Sequence, residues 1–110
     1  MTESKFILVT GATGYVGGRL VPKLLEAGYH VRCLVRDPSR LQGRAWAHQV
    51  EVMEGDALVP DDLAAAMKGI SVAYYLVHGK QGSKDSAERD LQAARNFSQA
   101  AEEEGIEQII

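Results

Sequence analysis

Three glycines at fixed spacing, in Gly11-Ala12-Thr13-Gly14-Tyr15-Val16-Gly17, separate an apolar run from a stretch of helical periodicity. The run before them, Phe6-Ile7-Leu8-Val9, has no polar alternation, which predicts a strand buried on both faces. After them, Val16, Leu20, Val21, Leu24 and Leu25 recur at helical spacing from Tyr15 to Ala27, and Gly28 supplies the stop. A strand, a glycine turn and a helix in that order admit few folds. Gly11 permits a tight turn out of the strand, Gly14 leaves the backbone open to a pyrophosphate, and Gly17 lets the helix approach the sheet. The helix start offers unpaired N–H groups and partial positive charge to phosphates. The spacing is GxxGxxG instead of GxGxxG, with the same physics. A Walker loop is excluded because no Lys-Ser or Lys-Thr follows, and a phosphoacceptor receiver because the first strand ends in Val9-Thr10.

The remaining pattern alternates short β-rich bursts with helix-period stretches. Strands are predicted over 31–35, 50–53, 72–77 and 106–110, and helices over 60–67 and 84–104, with a weak helix over 41–47. Pro22 falls inside the first helix and withholds a donor from the Gly18 carbonyl, which predicts a tolerated kink. The last helix places Leu91, Ala94, Phe97 and Ala101 on its expected core stripe. Alternating strands and helices mean βαβ units, so the expected fold is one α/β domain, residues 1–110, with a doubly wound parallel sheet of order 3-2-1-4-5. Cys33, in an apolar strand, is expected to be an inert core thiol, and Trp46, Tyr74 and Tyr75 to be packing residues.

Composition narrows the function. The 110 residues carry 12 Lys and Arg against 15 Asp and Glu, a net charge of −3, which argues against a nucleic-acid surface or a polybasic membrane anchor. A single cysteine forms no internal disulfide, so the cytoplasm is the expected compartment. No apolar run approaches the roughly 20 residues of a membrane helix, and no metal site is expected.

The segments ILVTGATGYVGGRLVPKLLEAGYHVRCLVRDPSR, VEVMEGDALVPDDLAAAMKGISVAYYLVH and AARNFSQAAEEEGIEQII resemble the N-terminal part of atypical short-chain dehydrogenase/reductases, NmrA-like groups included. The resemblance covers nearly the whole chain. It implies a Rossmann-like, NAD(P)-binding domain. It implies that Gly11, Gly14 and Gly17 form the pyrophosphate turn, with Thr13, Tyr15 and Val16 lending N–H groups or flanking contacts. It places Arg36 at the adenosine ribose, where an arginine accepts the 2′-phosphate of NADP. Arg40 and Ser39 stand nearby as parts of a clamp. Asp37 can instead serve the ribose in the manner of NAD, so NADP is the expected cofactor and NAD the alternative. Asp56 matches the aspartate that contacts the adenine amino group, with Ala57 helping through its backbone, although an Asp here also suits a turn or helix cap. Val77 and His78 fall where the cofactor ribose and nicotinamide pass. Asn96 matches a helix position expected to be structural.

Catalytic members of the superfamily carry a Ser or Thr after the fifth strand and then a Tyr-x-x-x-Lys pair. Here Tyr15, Tyr29, Tyr74 and Tyr75 are followed four residues later by Arg19, Cys33, His78 and Gly79, so no catalytic residue is expected. The chain reads as the cofactor-binding part of a longer reductase or epimerase. The alternatives are a redox-sensing regulator of NmrA type acting on a protein partner, and a fragment that no longer binds cofactor. The apolar edge of the last strand predicts a homo-oligomer, by edge pairing or segment exchange.

Overall fold

The computed structural model describes residues 5–12, 14–76 and 84–110. Five strands, β1 (Phe6–Thr10), β2 (His30–Val35), β3 (Glu51–Glu54), β4 (Val72–Tyr75) and β5 (Gln108–Ile109), form one parallel sheet in the order β3-β2-β1-β4-β5. Helices α1 (Tyr15–Glu26), α2 (Pro60–Met67) and α3 (Lys84–Glu103) link them. The expected topology is therefore the observed one.

The apolar strands alternate between two cores. Ile7 and Val9 of β1 join Val31, Cys33 and Val35 of β2 against Val21 and Leu24 of α1, with Leu41 and Trp46 closing that side. Leu8 and Leu34 face the opposite way, onto Leu63, Ala66 and Met67 of α2 and Phe97, Ala100 and Ala101 of α3. Both faces of β1 are covered, which is why its sequence shows no polar alternation.

Several elements differ from expectation. The buried stripe of α3 is Ala93, Asn96, Phe97, Ala100 and Ala101, while Leu91 is 53% exposed. At about 100° per residue, Leu91 lies on a different face from Phe97, and the alanines let the helix approach with Phe97 as its one large knob. Val16 is 50% exposed, because it belongs to the first turn, beyond the sheet edge that Val21 and Leu24 cover. The segment 41–47 is not a helix. Two 3-10 turns, Pro38–Leu41 and Ala47–Gln49, flank Gly43, whose φ of +89° breaks helical continuity. Strand β5 is short, but its bonds to β4 run from Glu107 N (to Ser71 O) to Ile110, which exchanges bonds with Ala73 O and Tyr75 N, all at 2.9 Å, while the Ile109 and Ile110 side chains are exposed. Helix α1 runs through Pro22 without interruption.

A single arginine fixes the far end of α2. Arg32 reaches from β2 to donate through Nη1 to the carbonyls of Ala66 and Lys68, both at 2.7 Å. Its Nε stands 3.2 Å from Glu51 Oε1 as a charge contact. A cation on the last carbonyls of a helix also complements the dipole. Replacing Arg32 with Met should lower unfolding free energy by roughly 1.5–3 kcal/mol, the range for hydrogen bonds from charged donors, as read by urea denaturation. Cys33 has no exposed surface, and burial pushes its thiol up to about 12. It should resist thiol reagents at pH 8 in the native state and react at an ordinary rate once urea unfolds the chain.

Candidate functional site

The carboxyl ends of β1, β2 and β3 bring the glycine turn, the Arg36–Arg40 segment and the Asp56–Ala57 loop to one edge of the sheet, where such folds bind ligands. The glycines in the turn do different work. Gly11 has a φ of +102°, and a Cβ there would lie 2.7 Å from the Leu76 carbonyl oxygen. A Cβ on Gly17 would overlap the Gly11 carbonyl oxygen and approach Ala12 Cα to 2.7 Å. Gly17 thus brings the helix against the turn itself, more than against the sheet as expected. Gly14 is unlike both. A Cβ there would meet only the Gly11 carbonyl oxygen, at an ordinary 3.4 Å, and its φ of −82° suits any residue. Nothing among the described residues requires Gly14 to be bare.

Gly14 is also the N-cap of α1, with no side-chain cap and no acidic residue in the first turn. Its own N–H is taken by Gly11 O at 3.0 Å, and its carbonyl accepts from Gly18 N at 2.9 Å. The first-turn N–H groups that follow lack the acceptors that interior helix positions have. Tyr15, 75% exposed, and Val16 flank that opening, and the Arg19 guanidinium lies 4.6 Å from the Tyr15 ring centroid. An anionic group fits here by charge, by donors and by space.

Beyond β2, the two ribose candidates part. Asp37 caps the turn Pro38–Leu41: its Oδ1 accepts from Ser39 N at 3.1 Å and from Ser39 Oγ at 2.6 Å. The Ser39 hydroxyl, then its backbone N–H, hold the Asp37 carboxyl below its ordinary value, with Arg40 adding to the effect. The cap therefore persists above the ordinary carboxylate range and is lost only as pH falls through the lowered value. Ser39 is committed to this cap. Arg36 is exposed and makes no hydrogen bond or ion pair among the described residues, and Arg40 is exposed beside Asp37. The Arg44 guanidinium occupies the space over Gly18, its Nη1 3.1 Å from where a Cβ would stand.

The third segment is tied down by its own backbone and by distant side chains. Gly55 N donates to Val35 O and Val59 N to Asp56 O, both at 2.9 Å. Asp62 Oδ2 accepts from Asp56 N, and Asp56 Oδ1 accepts from Leu58 N, again at 2.9 Å. Ala57 O accepts from Asn96 Nδ2 at 3.1 Å. The turn-forming role weighed for Asp56 is thus present. Asp56 Oδ2 and the Ala57 N–H have no partner among the described residues, leaving an acceptor and a donor on adjacent residues. Sequence reasoning missed Asp62 and the reach of Asn96. The available signal was an Asn interrupting a face of alanines in a long helix.

Thr13, Val77 and His78 lie outside the described residues. Leu76, just before them, donates its N–H to Thr10 O at 2.8 Å. Tyr75 packs on Phe97 with ring centroids 4.7 Å apart, and burial followed by the Asp90 charge raises its phenol. Among the described residues no cluster of three metal-ligating side chains exists, and no helix is long and apolar enough to cross a membrane. The residues fit a dinucleotide: a bare, uncapped helix start for its phosphates, exposed arginines where a ribose follows a second strand, and a donor–acceptor edge for a base.

Comparison with known proteins agrees. The family described as NAD(P)H-binding matches residues 11–110. The 3β-hydroxysteroid dehydrogenase/Δ5→4-isomerase of Mycobacterium tuberculosis (strain H37Rv) is 42% identical over 74 residues, which is 67% of this chain and 19% of that protein. The crystal structure of gox2253 superposes with a TM-score of 0.81 at 32% identity, over 96% of this chain and 33% of the other. A short-chain dehydrogenase/reductase superfamily protein of Agrobacterium tumefaciens with bound NAD gives 0.76 at 26% identity, over 94% and 31%. The NADPH-dependent quinone oxidoreductase of Escherichia coli complexed with NADPH gives 0.73 at 25%, over 94% and 35%. The chain spans about a third or less of the length of these relatives.

The glycines predict a clean separation of fold from binding. Gly14→Val should fold with a near-unchanged melting temperature and lose dinucleotide affinity by more than tenfold, since its new side chain enters only ligand space. Gly17→Ala should instead lower stability by roughly 1–3 kcal/mol through overpacking. Calorimetric titration with thermal melts distinguishes the two effects.

Proposed function

The chain belongs to the NAD(P)H-binding family, as a Rossmann domain of short-chain dehydrogenase/reductase type, and on that premise we propose that it holds NADP(H) in preference to NAD(H) for a longer reductase or epimerase. The observation that carries the reading is the disposition of Arg36 and Asp37. The carboxylate that would accept a ribose hydroxyl is turned onto Ser39, while the neighbouring guanidinium is exposed and without a partner among the described residues. A planar guanidinium in that position suits a 2′-phosphate through paired hydrogen bonds, with Arg40 adding charge.

The roles then follow from the site. Gly14 and the first turn of α1 receive the pyrophosphate. Arg36 and Arg40 receive the phosphorylated ribose. Asp56 and the Ala57 N–H meet the adenine edge: a carboxylate oxygen accepts from the amino group, and the amide donates to the ring nitrogen beside it. The bound dinucleotide supplies hydride transfer. The chain's own contribution is to bind and orient it, because none of its four tyrosines has a lysine four residues on. The hydroxysteroid dehydrogenase and quinone oxidoreductase among its relatives support redox chemistry for the longer protein.

Titration of the 110-residue chain should give micromolar binding of NADPH and at least about tenfold weaker binding of NADH, the gap expected for one charge-assisted phosphate contact. Arg36→Leu should erase most of that gap by weakening NADPH alone. Equal affinity for the two cofactors in the unsubstituted chain would refute the preference.

A further inference from the structure

Asn96 is 6% exposed in a face of α3 otherwise made of Ala93, Phe97, Ala100 and Ala101. A primary amide in such a face is costly to bury unless its polar atoms are engaged. Both ends of this one are. Its Nδ2 donates to Ala57 O at 3.1 Å, across 39 residues of sequence, and its Oδ1 accepts from Gln92 Nε2 at 2.8 Å, one turn earlier on the same helix. The Ala57 carbonyl can only accept, which settles which way the amide faces: Nδ2 points to the loop, and Oδ1 is left for the Gln92 donor. Gln92 also walls an open hollow of about 390 Å³, together with Leu58, Glu88 and Arg89, immediately beyond that loop.

The consequence lies in the peptide that Asn96 grips. The Ala57 carbonyl belongs to the 57–58 peptide, so holding it toward α3 fixes that plane and leaves only the torsions at Ala57 between it and the 56–57 peptide, which carries the Ala57 N–H. The loop is already pinned at Asp56 N by Asp62, at Leu58 N by Asp56 Oδ1, and at Asp56 O, in the peptide that carries the Ala57 N–H, by Val59 N. With those groups engaged, the Ala57 N–H and Asp56 Oδ2 remain together as a donor beside an acceptor. That order complements adenine, whose ring nitrogen accepts and whose amino group donates. It opposes hypoxanthine, whose ring N–H donates and whose oxygen accepts.

We propose that Asn96, oriented by Gln92, is a positioning residue that sets base selectivity: by holding the 57–58 peptide it limits the backbone torsions at Ala57 and so keeps the Ala57 N–H in place as the donor of an adenine-complementary edge. The proposal rests on the dinucleotide site described above and deepens it. Asn96 touches no ligand, and its effect is transmitted through Ala57 O.

The test compares NADPH with its hypoxanthine analogue, reduced nicotinamide hypoxanthine dinucleotide phosphate, by titration of the 110-residue chain and its variants, with melting curves alongside. The unsubstituted chain should prefer NADPH by about tenfold or more, as expected when a hydrogen-bonding edge meets its reversed counterpart. Asn96→Ala should shrink that ratio to within about threefold, mostly by weakening NADPH. Gln92→Leu alters an exposed residue and leaves the core intact, so it should fold even if Asn96→Ala does not. Its ratio should fall to an intermediate value. A merely structural Asn96 would weaken both ligands by one common factor, so an unchanged ratio in Asn96→Ala, or in Gln92→Leu where the former does not fold, overturns the proposal. No selectivity in the unsubstituted chain would instead refute the adenine edge at Asp56 and Ala57, and the proposal with it. Binding of neither ligand would remove the dinucleotide site as a whole.

Discussion

The structure depends on a backbone crossing with no room for side chains. Where β1 ends, its exit turn, the first turn of α1 and the chain leaving β4 converge so closely that a Cβ on Gly11 would strike Leu76 O and one on Gly17 would strike the turn itself. That crowding draws the α1 N-terminus over the carboxyl end of the sheet, and the phosphate-binding character follows from it. The helix dipole acts only within the first turn or so, so a looser crossing would move the donors away from the sheet edge where the other segments converge. Gly14, at the centre of this crossing, is the one of the turn's three glycines that the described residues do not require to be bare.

The connection around α2 shows a second principle, that of polar side chains clamping backbone at a distance. Asp62 holds Asp56 N at the start of the helix, and Arg32 holds Ala66 O and Lys68 O at its end. Apolar packing of Leu63, Ala66 and Met67 locates α2 against the sheet, but burial is non-directional and leaves an eight-residue helix free to slide or roll. Directional bonds at the two ends remove that freedom. Asn96 extends the same device to the loop before α2, through its bond to Ala57 O.

Much of this was legible in the sequence, for reasons that can be located. The parallel sheet and its order followed from strands such as Phe6–Val9, whose burial on both faces leaves an uninterrupted apolar signature, and Val31–Val35, where Arg32 alone breaks the run. The end of the first helix was visible because Gly28 has the positive φ that glycine tolerates. What escaped was governed by geometry between segments. Leu91 looked like a core residue by size, yet α3 meets the sheet through alanines, and the angular register that decides this depends on Phe97 finding its place. The stretch 41–47 holds two buried anchors, Leu41 and Trp46, whose positions come from the α1-side core and not from local periodicity. The tie from Asn96 to Ala57 spans 39 residues, and no local pattern encodes such a pairing.

In the adjacent pair Arg36-Asp37, a local bond separates two side chains that a motif leaves equivalent. Residue types alone allow either ribose chemistry, because both side chains follow the second strand. Pro38 then fixes the start of a 3-10 turn whose N–H groups need an acceptor, and Asp37 is the nearest one. Ser39 adds a hydroxyl to the same oxygen, at 2.6 Å. Drawing the carboxylate to a ribose would strand that turn's donors, whereas turning the guanidinium toward a phosphate breaks nothing among the described residues. On the proposed reading, a helix cap, a feature of folding, would tilt the balance between the cofactors before any ligand arrives.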